Sequence, residues 1–382
     1  MEQLKWKFFH RLFDSSRPRI KLDPVINAME ELEEEARGCY WGKIQLSSEN
    51  FVKMMLIDGC FIVELFKELE QHNFIYAPSI QRWMLPTLRR DLIMLENQLP
   101  LFVLQKLFEL TSSPEESSTS LQDLTHQFFN PLLQRDSNSA LQCINKEAKG
   151  KRHFLDLFRS SILPRCSDTE ETNNRKDSSI TANKGLIAGE VNETIRSVIK
   201  LKEAGFIIEK GKNRPPLDVR SEGRVLQIPP LYIDDHKGTV FRNMVAFEQC
   251  HHKCTPDVTS YLFFFDELIN SAEDVELLHR EEVIQHSIGN NKEVAKLVNS
   301  LCKEITRNAD QSYLHKVVSE ANQYYDTYYA KIRAQLVYHY FSSWKVGIST
   351  VAGIIALFLN YGSKFKQSVR AVTEPGFEMN GG

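Results

Sequence analysis

The sequence predicts a mainly α-helical fold with one small antiparallel sheet and a hydrophobic helix near the C-terminus, and three observations predict it. Apolar residues recur with helical period through most of the chain, as at Leu4, Phe8 and Leu12, or Val25, Met29, Leu32 and Ala36. That period is lost only between about 206 and 233, where short β-rich pieces are separated by Gly, Pro and Asp. Trp344 to Tyr361 is the third: no charge interrupts it from Val346 onward, and an aromatic stands at each end.

A content of 42% hydrophobic and 25% charged residues places the chain among ordinary folded proteins. A net charge of −3 gives no field that would gather a polyanion, so nucleic acid is not an expected partner. Seven cysteines, an odd number scattered along the chain, suit reduced thiols and a cytosolic body better than a disulfide framework. The opening residues MEQLKWKFFHRLF lack the continuous apolar core of a secretory signal and read as an amphipathic helix.

Taken in order, Asp23-Pro24 marks a second helix start and Gly38 its end, with Glu30, Glu31, Glu33, Glu34 and Glu35 as a solvated face. Ser47 or Ser48 caps the next helix. Its Phe51 to Phe66 holds twelve apolar residues in sixteen, so it should be the central core helix. Asp58, beside Gly59 and Cys60 in that run, is the most conspicuous carboxylate: a structural ion pair is the first reading, a catalytic acid the second. Pro86 opens a helix with Leu88, Leu92, Leu95 and Leu99 on one face. Glu96-Asn97-Gln98 then interrupts the apolar texture before Pro100, and Glu96 and Asn97 read first as corner residues fixing an interhelical angle. Leu101 to Leu110, Leu121 to Leu133 and His153 to Ile162 are further helices. Between them, about 111–120 and 164–184 are polar insertions expected to be flexible.

Ile187, Val191, Ile195, Val198 and Leu201 predict a helix stopped by Gly205. The β-rich pieces follow, with Ser221-Glu222-Gly223 as a hairpin turn. Helices return from Thr239 to Cys250, after Thr255-Pro256-Asp257, at Ser271 with Asp274, at Asn290 and at Asp310. From Asp310 one long helix, or two nearly continuous ones, should lead to Trp344.

A helix over Trp344 to Tyr361 would be roughly 27 Å long, near the thickness of a bilayer's hydrocarbon core. Trp344, Val346, Ile348, Val351, Ile354, Ile355, Leu357, Phe358, Leu359 and Tyr361 are its expected anchor residues. Ser349, Ala352, Gly353 and Ala356 share one face in small-xxx-small spacing, which permits helix pairing and self-association. Lys345 and Asn360 leave only about fourteen firmly apolar positions, against the ~17–25 of a full span. Basic residues lie on both sides, so charge sets no orientation.

Catalytic motifs do not survive inspection. Gly205 to Lys212 has five residues between its glycines where a phosphate loop has four, and no Ser or Thr after the lysine. Cys250-His251-His252-Lys253-Cys254 is rich in soft ligands, but adjacent histidines and loose spacing suit a helix-end loop better than zinc. Asp234-Asp235-His236 reads as turn chemistry. No cofactor or metal is expected.

Several stretches nonetheless resemble the plant-specific family called domain of unknown function 247, or uncharacterised protein family 0481. They are Met54 to Phe66 (MMLIDGCFIVELF), Asp91 to Pro100 (DLIMLENQLP), His153 to Arg159 (HFLDLFR), Leu201 to Gly205, Ile228 to Leu231, Phe241-Arg242-Asn243, Ala246 to Cys250 (AFEQC) and Thr259-Ser260-Tyr261. Asp58, Gly59, Cys60, Glu96, Asn97, Pro100, Phe247, Glu248 and Gln249 are the motif residues. The resemblance implies a helical domain, membrane attachment near Val346 to Leu359, no established enzymatic activity and, from some relatives, a part in recognition. It also implies that family members carry a segment before Met1 and stay apolar beyond Asn360.

The expectation is therefore a helical domain over 1–343 with a β region at 206–233, a single-pass anchor over 344–361 and a polar tail over 362–382. Its expected partners are a lipid bilayer, with the plasma membrane as the candidate, and an unidentified protein; its expected role is non-enzymatic recognition. The alternatives are an enzyme using Asp58 and Glu96, and a degraded, non-functional family copy.

Overall fold

The computed structural model describes residues 2–13, 20–112, 119–132, 152–164, 194–251, 253–306, 312–341 and 344–373. The insertion at 164–184, most of that at 111–120, and the helix starts at Ile187 and Asp310 lie largely outside them.

Helices dominate the described residues. In the N-terminal half, α1 (Glu2–Leu12), α2 (Leu22–Gly38), α5 (Leu101–Thr111) and α6 (Leu121–Phe129) pack around α3 (Ser48–Gln71). Ser47 caps α3 by accepting from the Asn50 amide at 3.3 Å, and Phe51, Met55, Cys60, Val63, Leu65 and Phe66 are fully buried, as the apolar run predicts. Polar contacts fasten α1 along it: Lys5 to Asp58 at 2.6 Å, and Arg11 to Glu68 at 2.6 Å and Glu64 at 3.5 Å. Burial alone would raise the Glu68 carboxyl, but the Ser79 amide and the Arg11 guanidinium hold it below its ordinary range.

One predicted helix is two pieces. Instead of running from Pro86 to Leu99, α4 (Met84–Asp91) stops, and a 3₁₀ turn (Leu95–Asn97) follows. The Gln98 side chain donates through Nε2 to the carbonyls of Leu92 at 2.9 Å and Met94 at 2.6 Å, so a side chain completes hydrogen bonds a continuing helix would have made.

In the second half come α7 (Phe154–Ile162), α8 (Val198–Ala204), α9 (Lys237–Cys250), α10 (Asp257–Leu268), α11 (Ala272–Arg280), α12 (Asn291–Leu301), α13 (His315–Tyr325), α14 (Tyr328–Phe341) and α15 (Trp344–Thr373). Of the helix expected from Ile187, residues 187–193 lie outside the described residues; 194–197 are non-helical and α8 begins at Val198. It ends as predicted at Gly205, whose φ of +108° is left-handed. Ser271 and Asp274 form a capping box, and Asn290 caps α12. The approach to Trp344 is the two-helix alternative, α13 and α14 meeting at Asp326-Thr327.

The single antiparallel sheet is not what forms. β1 (Ile207–Lys210), β3 (Val225–Ile228) and β2 (Arg220–Glu222) make one mixed sheet in the order β1-β3-β2, β1 being parallel and β2 antiparallel to β3. Gly223, at φ +62°, turns the β2–β3 hairpin where one was expected. β4 (Leu231–Ile233) leaves that sheet and pairs in parallel with β5 (Ile284–His286). Pro229-Pro230 supplies no amide for continuing the first ladder, and the new partner lies some fifty residues on, beyond any local pattern. One cluster of buried apolar side chains runs from Phe8 to Ala321.

The expected membrane span is also corrected. α15 is a helix of 30 residues, but among the described residues no helix is long and apolar enough to cross a membrane. Its apolar stretch ends at Asn360, and the same helix continues through Ser363, Lys364 and Lys366.

Candidate functional site

Four stretches far apart in sequence meet at one junction, half-buried at Gln98, His153 and Asn243 and buried at its centre. Gln98, in the corner before α5, accepts the Leu155 amide of α7 on its Oε1 at 3.1 Å, while its carbonyl takes the Tyr40 hydroxyl at 2.9 Å. Asn243 of α9 accepts the Leu95 amide at 2.8 Å. His153, the N-cap of α7, accepts the Asp156 amide on Nδ1 at 3.2 Å and packs edge-on to Phe247 of α9, ring centroids 4.9 Å apart. Burial drops the His153 imidazole to about 4, against the upward pull of Asp156, so it sits in the junction neutral.

Arg159 and Glu248 stand at the centre. Arg159 donates through Nε to Glu248 Oε1 at 2.7 Å and through Nη2 to Asp257 Oδ2 at 3.3 Å, and also binds the Thr255 carbonyl. Glu248 further accepts the amides of Val258 and Thr259, each at 2.9 Å, and the Thr259 hydroxyl at 2.7 Å. Those amides belong to the first turn of α10, whose unpaired N–H groups and positive dipole end favour a carboxylate. The Glu248 side chain is 1% exposed and all its contacts are made inside the protein, so its chemistry is that of a joint tying α7, α9 and the start of α10.

The other predicted residues are dispersed. Asp58 is not buried: its side chain is 32% exposed and paired with Lys5, an arrangement that contributes at most about 1 kcal/mol. Glu96 is exposed on the 3₁₀ turn, and Asn97 donates to the Asp91 carbonyl at 2.9 Å, as a corner residue should. Pro100 stands at the N-cap of α5, and Gln249 lies on α9 beside Glu248. Burial pushes the Cys60 thiol up to about 12, leaving it un-ionised and inert at neutral pH. A small cavity of about 10 Å³ between α9, α10 and α12 is lined by none of these. Among the described residues no group of three His, Cys, Asp or Glu is placed to hold a metal ion. Asp234 accepts the His236 and Lys237 amides at the start of α9, which is turn chemistry.

Gly59 is explained by packing. A Cβ there would lie 2.2 Å from Leu107 Cδ1, with Leu104 Cδ2 at 3.7 Å, so α3 and α5 approach as closely as they do because the position is bare. Gly59→Ala is expected to cost about 1–3 kcal/mol from overpacking, despite the ~1 kcal/mol that alanine adds to a helix. In a Leu107→Ala background the same change should cost less, and urea unfolding of the four variants measures the difference. A stabilising Gly59→Ala would refute this packing account.

The stretches DLIMLENQLP, HFLDLFR, FRN, AFEQC and TSY, scattered along the chain, are therefore one physical unit, since each places a residue in the junction. A family model described as a plant protein of unknown function, DUF247, matches residues 1–359. The chain belongs to this family. It is 27% identical over 374 residues to the UPF0481 protein At3g47200 of Arabidopsis thaliana, covering 94% of this chain and 76% of that protein. It is 22% identical over 415 residues to a second Arabidopsis UPF0481 protein, At3g02645, covering 88% and 77%. No solved structure matches the chain.

In this DUF247 protein the sequence reading missed Arg159, Asp257 and Gln98 as centre residues. Arg159 had a legible signal: an arginine within the apolar helix of HFLDLFR is buried unless its face is exposed, and a buried arginine needs an anion. Nothing local names Glu248 as that anion, 89 residues on.

α15 contrasts with the junction. Ile354, Ile355, Leu357, Phe358, Leu359, Tyr361 and Phe365 are between 47% and 77% exposed. Ser349, Ala352, Gly353 and Ala356 are exposed too, and a Cβ on Gly353 would meet nothing within 4 Å. Placement of the Trp344, Val346, Ile348 and Val351 side chains lies outside what is described.

Proposed function

We propose that this DUF247 protein is a non-enzymatic recognition component held at a lipid surface by α15, with its body on the cytosolic side. The observation that carries the reading is the run of large apolar side chains exposed around α15. Large apolar side chains exposed along one broad side of a helix are stable only when covered, and acyl chains cover them without needing a groove of matching shape. Because the apolar stretch is short and runs into Lys364 and Lys366, the helix enters the boundary between headgroups and acyl chains and does not cross it. The free state of Cys39, Cys60, Cys250, Cys254 and Cys302 supports a reducing compartment. Against catalysis stands the saturation of the buried carboxylate Glu248, which has no contact to spare for a substrate. The protein that is recognised has no signature in these residues.

Flotation tests the reading. Full-length protein mixed with vesicles of phosphatidylcholine containing an anionic lipid should rise with them, and Leu357→Asp/Phe358→Asp should remain at the bottom. A folded full-length chain that stays below the vesicles would end the proposal. If it instead sediments as a dimer that Gly353→Leu dissociates, the small-residue face pairs two copies and a second chain is the cover.

A further inference from the structure

His286 ends β5, and its ring sits between two oxygen atoms. Nδ1 is 3.0 Å from the Ile288 carbonyl oxygen, and Nε2 is 2.9 Å from Asn291 Oδ1 at the start of α12. The orientation of the Asn291 amide is set by a third group: its Nδ2 donates to the Glu276 carboxylate of α11 at 2.6 Å. Turning the amide over would bring its oxygen against that carboxylate, two acceptors facing each other. Carbonyl and amide oxygens accept only, so both ring contacts require a hydrogen on the facing nitrogen. Neutral imidazole carries one hydrogen; imidazolium carries two.

We propose that His286 is a proton-operated latch on the loop joining β5 to α12. Uptake of a second proton completes both hydrogen bonds and ties residues 287–291 to the end of the β4–β5 pair. Loss of that proton leaves one ring nitrogen facing an oxygen, lone pair to lone pair, and releases the loop. The neighbours define its setting. Glu276 of α11 faces the ring through the Asn291 amide. His279, also of α11, has its ring centroid 5.8 Å away, and its Nδ1 lies 3.0 Å from the Ile284 carbonyl, a contact that one hydrogen satisfies. From β4 the register partner is uncharged Ile233, whose carbonyl takes the Ser287 amide at 3.0 Å and so fixes the near end of the loop.

The test is nitrogen-15 spectroscopy of the histidine rings in the full chain, with amide hydrogen exchange, at about pH 5.5 and about pH 8, at least a unit either side of the ~6.5 of free imidazole. At the lower pH both His286 ring nitrogens should carry hydrogen. Exchange at 287–291, corrected for its intrinsic pH dependence, should then be slower by about fivefold or more, the factor one net hydrogen bond supplies. His286→Gln should abolish that pH dependence, and the double change Asn291→Asp/Glu276→Gln, which sets a carboxylate against the ring and gives that carboxylate an amide donor in place of Glu276, should keep the loop protected at the higher pH. A His286 ring with a single hydrogen at about pH 5.5 overturns the proposal, as does wild-type loop exchange indifferent to pH. The ring spectrum decides even where a variant does not fold.

Discussion

Arg159→Met is expected to lose about 3–5 kcal/mol of folding free energy, because Glu248 and Asp257 are then left buried together without the cation between them. Arg159 and Glu248 are 5% and 1% exposed, so water does not reach in to compensate. Glu248→Gln keeps the size but halves the acceptor capacity facing the Val258 and Thr259 amides, and leaves the guanidinium with Asp257 as its one carboxylate partner. The double variant Arg159→Met/Glu248→Gln should cost less than the sum of its two parts, since each single change mainly strands the other partner. Urea midpoints of the four proteins supply the cycle. A single Arg159→Met that loses under about 1 kcal/mol would show that the junction does not hold the helices together.

The second large effect depends on pH. With His153 near 4 in the folded chain and near ~6.5 unfolded, the unfolded chain binds more protons between those values. Stability from this residue is therefore full above about pH 6.5 and falls as pH is lowered toward 4. Between about pH 7.5 and about pH 5 the loss is about 2 kcal/mol, since each unit of separation corresponds to ~1.4 kcal/mol. The chemistry agrees in sign: a proton on Nδ1 replaces the lone pair that accepts the Asp156 amide, so the cap of α7 is lost with neutrality. His153→Asn keeps a capping acceptor that does not take up a proton there, and it should remove about 2 kcal/mol of the difference between those two pH values. Glu68 does not confuse the comparison, because a carboxyl held low contributes above the ~4.3 of free glutamate and is lost only as pH falls below that. An unchanged pH dependence in His153→Asn would sink the assignment.

Both predictions concern the place where the family stretches meet, and this bears on function. Residues that hold helices at fixed angles are useful to a recognition surface, which needs a rigid frame, without touching what is recognised. In this DUF247 protein the centre of the frame is buried and saturated, while a run of exposed apolar side chains lies on α15.

The sequence by itself determined the elements whose signal is local. The core face of α3, the stop at Gly205, the capping box at Ser271 and Asp274, and the hairpin at Gly223 each follow from a period or a single backbone requirement, both of which neighbouring residues carry. It also held the shortness of the apolar stretch before Asn360, which has fewer apolar positions than the ~17–25 of a full span. Only the tertiary structure decided that β4 pairs with β5, that α4 stops at Asp91, that Asp58 is a surface ion pair and that Arg159 meets Glu248. The physical reason is the same in each case. Strand partners and salt-bridge partners are chosen by which backbone or charged groups the fold brings within about 3 Å, and those groups come from segments separated by tens of residues.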